Sequence, residues 1–463
     1  MIIVIISAAL AIGFALTGSF GAVCEFLLLF GIGATSIAIF CKAEDRARST
    51  AIFAWTMSIY FVYACFCRAY QVANDYPVFG SFDGFDYYVP FTKKLLIDQS
   101  FSDVIQTIYF NERNVSFRHG GSIFIYFYAI GKLALQLDLD ILFALQLSLM
   151  PFAAMICVVE YHLLRRFDVP DREAYKWSLG FGLCSALFWL SSFIVRDLPI
   201  HLAYALIICL MFSPMPRWRK LSFSLLLVAA AASLRMASGI GMLPLLFFTG
   251  CYNPEDRNIN ISALVTFCIL GFIFGITQFA LETLEDVSAH YMTLELRDQG
   301  GKSTLSYFNA LPFGISNMAK ILYACFHPIP AWRNMTAAPG SQDIFSYTYN
   351  LTRFPDLWII FFRITGLTVL IYGCFHRTLR SIFRENRGLL FAFIYAIIWL
   401  CAQASTLEER RKLSVYPLLF LIAVLFWRRM EQTTRNHILT FATHLFIGLQ
   451  LLYLTKALFQ YLW

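Results

Sequence analysis

Residues 141–163 read ILFALQLSLMPFAAMICVVEYHL, an apolar run that ends shortly before Arg165 and Arg166. A helix of about 20 apolar residues is long enough to cross the hydrocarbon core of a bilayer. Backbone groups inside that core have no water to bind, so a crossing segment pairs them internally as a helix. The run therefore predicts a transmembrane helix.

The same pattern recurs along the 463-residue chain, which is 59% hydrophobic, 17% aromatic and only 14% charged. A soluble domain carries about 25% charged residues, so this chain has too few charges for a fully wetted surface. We expect an all-α, polytopic helical bundle of about 11–14 transmembrane helices, forming a single transmembrane domain over 1–463. The other candidate helices cover 1–18, 20–41, 51–67, 121–136, 178–195, 198–213, 221–234, 237–250, 261–281, 357–375, 388–405, 413–427 and 438–456.

The sequence carries no mark of a cofactor. It contains no Walker loop, no GxGxxG after a strand and no HExxH, so the usual signatures of ATP-driven transport, dinucleotide chemistry and zincin proteolysis are missing. Most of its 12 cysteines lie in apolar runs and none forms a CxxC pair, which disfavours a disulfide framework or a structural zinc site. We therefore predict no cofactor, no metal ligand and no nucleic-acid partner, with a divalent metal optional.

Basic residues set the expected orientation, because they accumulate in cytoplasmic loops. We expect a cytoplasmic N-terminus and two long outer loops, 68–120 and 282–356. Counting both 121–136 and 141–163 as full crossings would place Arg165 outside, so 121–136 is expected to be re-entrant or to lie along the membrane surface. The basic clusters assigned to the cytoplasm are 42–48, 165–176, 217–220, 377–387 and 428–435.

The first outer loop contains DGFDYYVP at residues 83–90. Gly84 permits a turn, and an interfacial helix can begin near Asp86, with one apolar side facing the bilayer. Asp83 and Asp86 would then lie just above the membrane, where a carboxylate could deprotonate a sugar hydroxyl. The alternative is that these aspartates simply cap the helix.

Two short segments place cations near the predicted outer surface. Arg118 and His119 precede two glycines, an arrangement that could seat a phosphate or reflect interfacial snorkelling. Arg196 and Asp197 form a tight turn between apolar runs. Charges at membrane depth are costly and often functional, although a local ion pair would also explain them.

Arg235 is the clearest isolated cation, since it lies between apolar residues with no acid beside it in sequence. It requires an anion, either the phosphate of a ligand or an acid on another helix. His327 lies in a Pro-rich turn and is either an acid or base near neutral pH or a structural residue.

A run near the end of the chain, LEERRKL at 407–413, carries more cations than acids on the predicted outer side. Arg410, Arg411 and Lys412 therefore predict an anion site. Mutual pairing with Glu408 and Glu409 at the surface is the alternative.

The order of these features resembles GT-C-type glycosyltransferases that use polyprenyl-phosphate sugars. An outer-loop Asp followed by Tyr-Tyr-x-Pro is similar to their first loop. The resemblance implies that the catalytic base is Asp83 or Asp86. Two residues separate these aspartates, unlike the family's paired acids, so the base stays open between them. Bacterial surface-polysaccharide proteins, including O-antigen polymerases, are similar in further features: Arg196-Asp197, Leu234-Arg235, the HPIPAW turn at His327, and Glu409-Arg410-Arg411 ahead of Tyr416-Pro417.

These observations predict a membrane glycosyltransferase or polysaccharide polymerase of the cell envelope. An outward-facing site has no access to nucleotide sugars, so its donor would be a polyprenyl-(di)phosphate-linked sugar. An Asp base would give inverting transfer, and the Arg/Lys set would stabilise the leaving lipid phosphate. The expected partners are the bilayer, this donor, a glycan acceptor and other envelope enzymes, in a bacterial inner membrane. The alternative is a flippase or transporter of a lipid-linked or anionic substrate.

Overall fold

A computed structural model describes residues 2–73, 87–97, 100–110, 121–253, 258–259, 313–326, 331, 351–402 and 412–462. Within these ranges the regular secondary structure is helical, with short turns between the helices, except for one short antiparallel pairing of β1 (Tyr252–Asn253) with β2 (Asn258–Ile259). The prediction of an all-α fold is confirmed for these residues.

The first thirteen helices precede the β pairing. They are α1 (Ile2–Thr17), α2 (Phe20–Phe40), α3 (Ala43–Ala73), α4 (Val89–Leu96), α5 (Phe101–Phe110), α6 (Ser122–Gln136), α7 (Ile141–Ser148), α8 (Met150–Arg166), α9 (Asp171–Cys184), α10 (Leu187–Leu190), α11 (Asp197–Met211), α12 (Arg217–Leu234) and α13 (Met236–Cys251). The later ones are α14 (Phe313–Phe326), α15 (Asp356–Phe375), α16 (Ser381–Glu385), α17 (Arg387–Ala402), α18 (Tyr416–Arg429) and α19 (Gln432–Leu462).

Among the described residues, 5 helical segments are long and apolar enough to cross a membrane. Shorter apolar helices, including α1, α6, α11, α13 and α17, accompany them. A helix count of 11–14 and the two outer loops stay predictions. The five long segments are Phe20–Phe40, Ala43–Ala73, Ile141–Arg166, Leu351–Phe375 and Gln432–Thr455.

The chain forms two compact units. Unit 1 comprises the described parts of Met1–Cys209, Leu225–Met242 and Trp332–Phe362. Unit 2 comprises those of Leu210–Ser224, Leu243–Ala331 and Arg363–Trp463.

Helix α3 is the centre of unit 1, where it packs against α1, α2, α8 and α9. Gly33 lets α2 approach α3 closely, because a Cβ at this position would overlap the ring of Phe53 on α3. Tyr60 is fully buried, and its hydroxyl donates to the carbonyl oxygen of Gly182 at 2.9 Å. A buried hydroxyl needs such a partner, so this bond fixes α3 against α9.

Helices α6 and α7 form a hairpin beside this centre. The Tyr126 hydroxyl near the start of α6 donates to the Ser148 carbonyl at the end of α7, at 2.6 Å, so the two helices run antiparallel. Asp140 caps α7 by accepting from the Phe143 N–H at 3.3 Å. The same carboxylate lies 3.1 Å from the Arg68 guanidinium, which ties the hairpin turn to the end of α3.

The expectation of one helix over 178–195 is wrong. Helix α9 ends at Cys184, Ser185 is extended (φ −119°, ψ 172°), and the short α10 follows. The Ser185 Oγ accepts from the Leu187 N–H at 3.3 Å, and the Ser191 hydroxyl donates to the Phe188 carbonyl at 2.7 Å. Serine side chains that bind nearby backbone compete with continuous helix.

In each unit, two of the predicted cytoplasmic clusters contact each other through an ion pair. In unit 1, the Arg48 Nε lies 3.0 Å from Asp171 Oδ2, so the starts of α3 and α9 share one end. In unit 2, the Arg429 Nη1 donates to Glu385 Oε1 at 2.9 Å. The side of the membrane that each end faces stays a prediction.

Candidate functional site

Asp197 and Arg235 form a buried ion pair in unit 1. The Arg235 Nη1 lies 2.7 Å from Asp197 Oδ1, with side-chain exposures of 21% and 2%. Asp197 is the first residue of α11, where the helix dipole favours a negative charge. Of the two anions considered for Arg235, the structure supplies an acid on another helix.

Close packing holds this pair in place. The Tyr204 hydroxyl on α11 donates to the Ser238 carbonyl on α13 at 2.9 Å. A Cβ at Gly239 would overlap Ala232, so this glycine allows α13 to turn tightly back on α12. Arg235 therefore occupies a fixed junction between α12 and α13.

Arg196, which precedes Asp197 in the chain, is close to the described end of the predicted first outer loop. Tyr87, which directly follows Asp86 in the chain, lies within electrostatic range of Arg196. Burial raises the pKa of the Tyr87 phenol, and the positive charge of Arg196 partly offsets this rise. The Arg196 site, defined here as Arg196, Asp197 and Arg235, thus lies beside the described end of the first loop.

Aromatic packing positions the start of α4. The ring centroid of Phe124 on α6 lies 4.5 Å from that of Phe91 and 5.3 Å from that of Tyr87. Tyr88 also packs on Phe127, at 5.6 Å. Tyr88 is the N-cap residue of α4, and its side chain makes no capping bond. The start of α4 is therefore held by ring contacts with α6.

A second buried ion pair, Arg353 with Asp356, was not expected from the sequence. The guanidinium binds both carboxylate oxygens, with Nη2–Oδ2 at 2.8 Å and Nη2–Oδ1 at 3.1 Å. It also lies over Trp189, 4.1 Å from the ring centroid, and 5.8 Å from that of Phe193. Phe193 precedes Arg196 by three residues in the chain. The R-x-x-D spacing ahead of an apolar helix was the available signal.

Two further hydrogen bonds anchor the chain on either side of Arg353, at Thr352 and at Trp358. The Tyr63 hydroxyl on α3 donates to the Thr352 carbonyl at 2.5 Å. The Trp358 Nε1 on α15 donates to the Leu183 carbonyl at 2.9 Å. These bonds tie the end of the predicted second outer loop to α3 and α9.

The predicted site residues divide into three groups. Arg196, Asp197 and Arg235 lie together in unit 1. Lys412 belongs to unit 2 and is buried. The predicted residues outside the described part of the chain are Asp83, Asp86, Arg118, His119, His327, Arg410 and Arg411.

Neither a metal cluster nor a relative points to the chemistry. In the described part of the chain, no three His, Cys, Asp or Glu side chains are grouped so that they could hold a metal. Comparison with protein-family profiles, curated proteins and solved structures finds no match.

Proposed function

We propose that this chain is a membrane glycosyltransferase or polysaccharide polymerase. Its donor is a polyprenyl-(di)phosphate-linked sugar, and the reaction takes place at the outer face of a bacterial inner membrane. Its partners are this donor, a glycan acceptor and other enzymes of envelope polysaccharide synthesis.

The proposal depends on one juxtaposition, that of Arg196 with Tyr87. Arg196 lies within electrostatic range of Tyr87, which directly follows Asp86 in the chain. The Arg196 site holds two positively charged guanidinium groups, those of Arg196 and Arg235, beside apolar helices. Such a charge suits a lipid phosphate better than a neutral sugar.

In the proposed reaction, Asp83 or Asp86 takes the proton of an acceptor hydroxyl as its oxygen attacks the anomeric carbon of the donor. The bond from this carbon to the phosphate oxygen breaks, and the lipid (di)phosphate leaves as an anion. Arg196 stabilises this developing charge, while Asp197 holds Arg235 in place. Attack from the face opposite the leaving group inverts the anomeric centre.

The test uses purified protein in liposomes with a labelled lipid-linked sugar and a glycan acceptor. Binding, transfer and movement across the bilayer are scored separately. We expect binding and transfer by the wild type. Movement without any transfer would replace the enzyme assignment with that of a flippase.

The flippase stays the second candidate because of two buried acids. Glu25 on α2 and Glu160 on α8 are both 0% exposed, and neither carboxylate has a hydrogen-bond partner among the described residues. Ionisable groups inside membrane helices often mark ion or proton pathways. A proton gradient that drives movement of the lipid-linked sugar in the liposome assay would favour this candidate.

A further inference from the structure

Cys41 ends α2 at the junction of an apolar helix and a basic segment. Its backbone is extended (φ −91°, ψ 145°), and its N–H donates to the Ile37 carbonyl. The Arg46 Nε donates to the Cys41 carbonyl at 3.0 Å, which fixes this residue from the other side. The thiol is half-buried.

A histidine from α8 lies against this thiol. The His162 Nε2 is 3.3 Å from Cys41 Sγ and 3.0 Å from the Ser49 hydroxyl oxygen. On the opposite side of the ring, Nδ1 is 3.9 Å from Asp45 Oδ2. A nucleophile, a base and a group that orients the base define a nucleophilic site.

Neighbouring side chains hold the orienting carboxylate. The Tyr161 hydroxyl donates to Asp171 Oδ1 at 2.8 Å and lies 3.3 Å from Asp45 Oδ1. Arg48 in turn binds Asp171. Asp45 therefore lies on the Nδ1 side of His162, while Nε2 faces the Cys41 thiol and the Ser49 hydroxyl.

Cys41, rather than Ser49, is the accessible nucleophile of this pair, because Ser49 is 0% exposed. Burial raises the pKa of the Cys41 thiol, and the nearby charge of Asp45 raises it further, although the hydrogen bond with Ser49 opposes this. The thiol is thus protonated at neutral pH. It needs a base to react, and His162 occupies the position of that base.

The surface next to Cys41 suits a long apolar chain. On α2, Phe40 is 81% exposed, Ile39 67% and Ile32 59%. A hydrocarbon chain attached at Cys41 could lie along this face inside the bilayer. Lys42 and Arg46 place cations at the same level, where they can attract the anionic carrier of an acyl group.

We propose that Cys41 is an S-acylation site, at which a long-chain acyl thioester reacts with the thiol under general-base catalysis by His162. The Cys41 thiol gives its proton to Nε2 as the sulfur attacks the thioester carbonyl. The bond from that carbonyl carbon to the carrier sulfur breaks, and the carrier thiolate leaves with the proton from the imidazolium. The products are an S-acyl cysteine and a free carrier thiol, with no change in oxidation state. This proposal is independent of glycosyl transfer.

Cys374 provides a matched control within the same chain. It lies one residue before the end of α15, beside a predicted cytoplasmic cluster, and it is also half-buried. Among the described residues, no imidazole nitrogen lies within hydrogen-bond distance of its sulfur. The two thiols therefore differ in the base and not in their location relative to an apolar helix.

The experiment incubates purified protein in liposomes with a labelled palmitoyl thioester of coenzyme A. Hydroxylamine-sensitive label is then assigned to individual cysteines by mass spectrometry. General-base help is worth about 10²-fold or more, so we expect Cys41 to acquire label at least roughly 10²-fold faster than Cys374. In folded His162→Gln protein the Cys41 rate should fall to that of Cys374, whereas Ser49→Ala, which keeps the base, should retain fast labelling.

Equal labelling of Cys41 and Cys374 in the wild type would overturn the proposal without any variant. Fast labelling of Cys41 in folded His162→Gln protein would overturn the role of the base. The melting temperature of each variant shows whether it is folded. Should His162→Gln fail to fold, the wild-type comparison and Ser49→Ala still decide the proposal.

Discussion

The Arg235 guanidinium lies 2.7 Å from the Asp197 carboxylate, although 38 residues separate the two in the chain. The contact joins the junction of α12 and α13 to the first turn of α11. Removal of one partner from a buried ion pair leaves an uncompensated charge, which costs more than removal of both. The pair therefore has a structural role that must be separated from any role in binding.

Arg235→Ala should lower the free energy of unfolding by about 3–5 kcal/mol, because it removes the guanidinium that lies 2.7 Å from the buried Asp197 carboxylate. Arg235→Lys should lose less stability, because it keeps the positive charge. It should still lose some, because it lacks the planar guanidinium. Thermal unfolding in detergent and the amount of folded protein measure these losses.

The double variant Asp197→Asn with Arg235→Gln is the control for this prediction, because it removes both charges and keeps similar shapes. The double variant should regain most of the stability that Arg235→Ala loses. It should nevertheless bind the lipid-linked donor more weakly than the wild type does. If donor binding is normal in the folded double variant, Arg235 and Asp197 act in folding alone.

Helix positions were largely predictable, because an apolar run ends where charged residues begin. The expected helices 20–41 and 357–375 correspond to Phe20–Phe40 and Asp356–Phe375. The break at Ser185 was missed, since it depends on a serine side chain binding nearby backbone. Hydropathy is insensitive to that local competition.

The site was less predictable than the helices. Arg235 was singled out correctly as a cation that needs an anion, but no spacing rule connects it to Asp197 across two intervening helices. Trp189 gave no signal at all, because one aromatic in an apolar run is ordinary. Its role depends on Arg353, whose guanidinium reaches its ring only in the folded chain.

Stability should depend on pH through Asp171. The hydrogen bond from the Tyr161 hydroxyl, with help from Arg48, lowers the pKa of Asp171 below its ordinary 3.8. Because the folded pKa is the lower one, this stabilisation is present above about pH 4 and is lost as the pH falls through the folded value. Melting temperatures from about pH 6 down to about pH 3 should fall more steeply for the wild type than for Asp171→Asn.

The Asp171 effect should be modest, since the side chain is 41% exposed and solvent screens the contact. Tyr161→Phe removes the main hydrogen bond and should reduce the pH dependence in part. Identical pH profiles for the wild type and Asp171→Asn would show that this carboxylate does not link protonation to folding.

Glu25→Gln should leave stability unchanged or raise it. The Glu25 carboxyl is 0% exposed and has no hydrogen-bond partner among the described residues, so a neutral amide of the same shape loses no contact there. Glu25→Lys should lower stability strongly, because it buries a cation without a partner. Thermal unfolding compares both with Glu385→Gln, which removes a surface ion pair with Arg429. A clear loss of stability in Glu25→Gln would reveal a partner for the carboxylate.

Orientation in the membrane can be measured by labelling. Ser102 and Arg380 are both exposed, and they belong to a predicted outer loop and a predicted cytoplasmic cluster. In a background without native cysteines, a membrane-impermeant maleimide added to intact cells should label Ser102→Cys and not Arg380→Cys. Permeabilised cells, in which both should react, provide the control. The opposite pattern in intact cells would invert the topology and remove the outward site.

The assignment of the base predicts a specific defect in one of two variants. Asn at Asp83 or at Asp86 keeps the shape of the side chain but cannot accept the proton of the acceptor hydroxyl. Loss of a general base costs about 10² to 10⁴ in rate, whereas donor binding through the arginines should survive. We expect the larger effect at Asp83, because Asp83 is farther in sequence from the start of α4 and is the less suitable helix cap.

Asp103→Asn is the matched control for the base, since Asp103 belongs to the same loop but is exposed and accepts hydrogen bonds from Ser100. Its transfer rate in the liposome assay should stay close to that of the wild type. A folded Asp83→Asn protein that binds the donor and fails to transfer it supports a base. Undiminished transfer in both the Asp83 and Asp86 variants would exclude both carboxylates, because no inverting transfer keeps its rate after its base is removed.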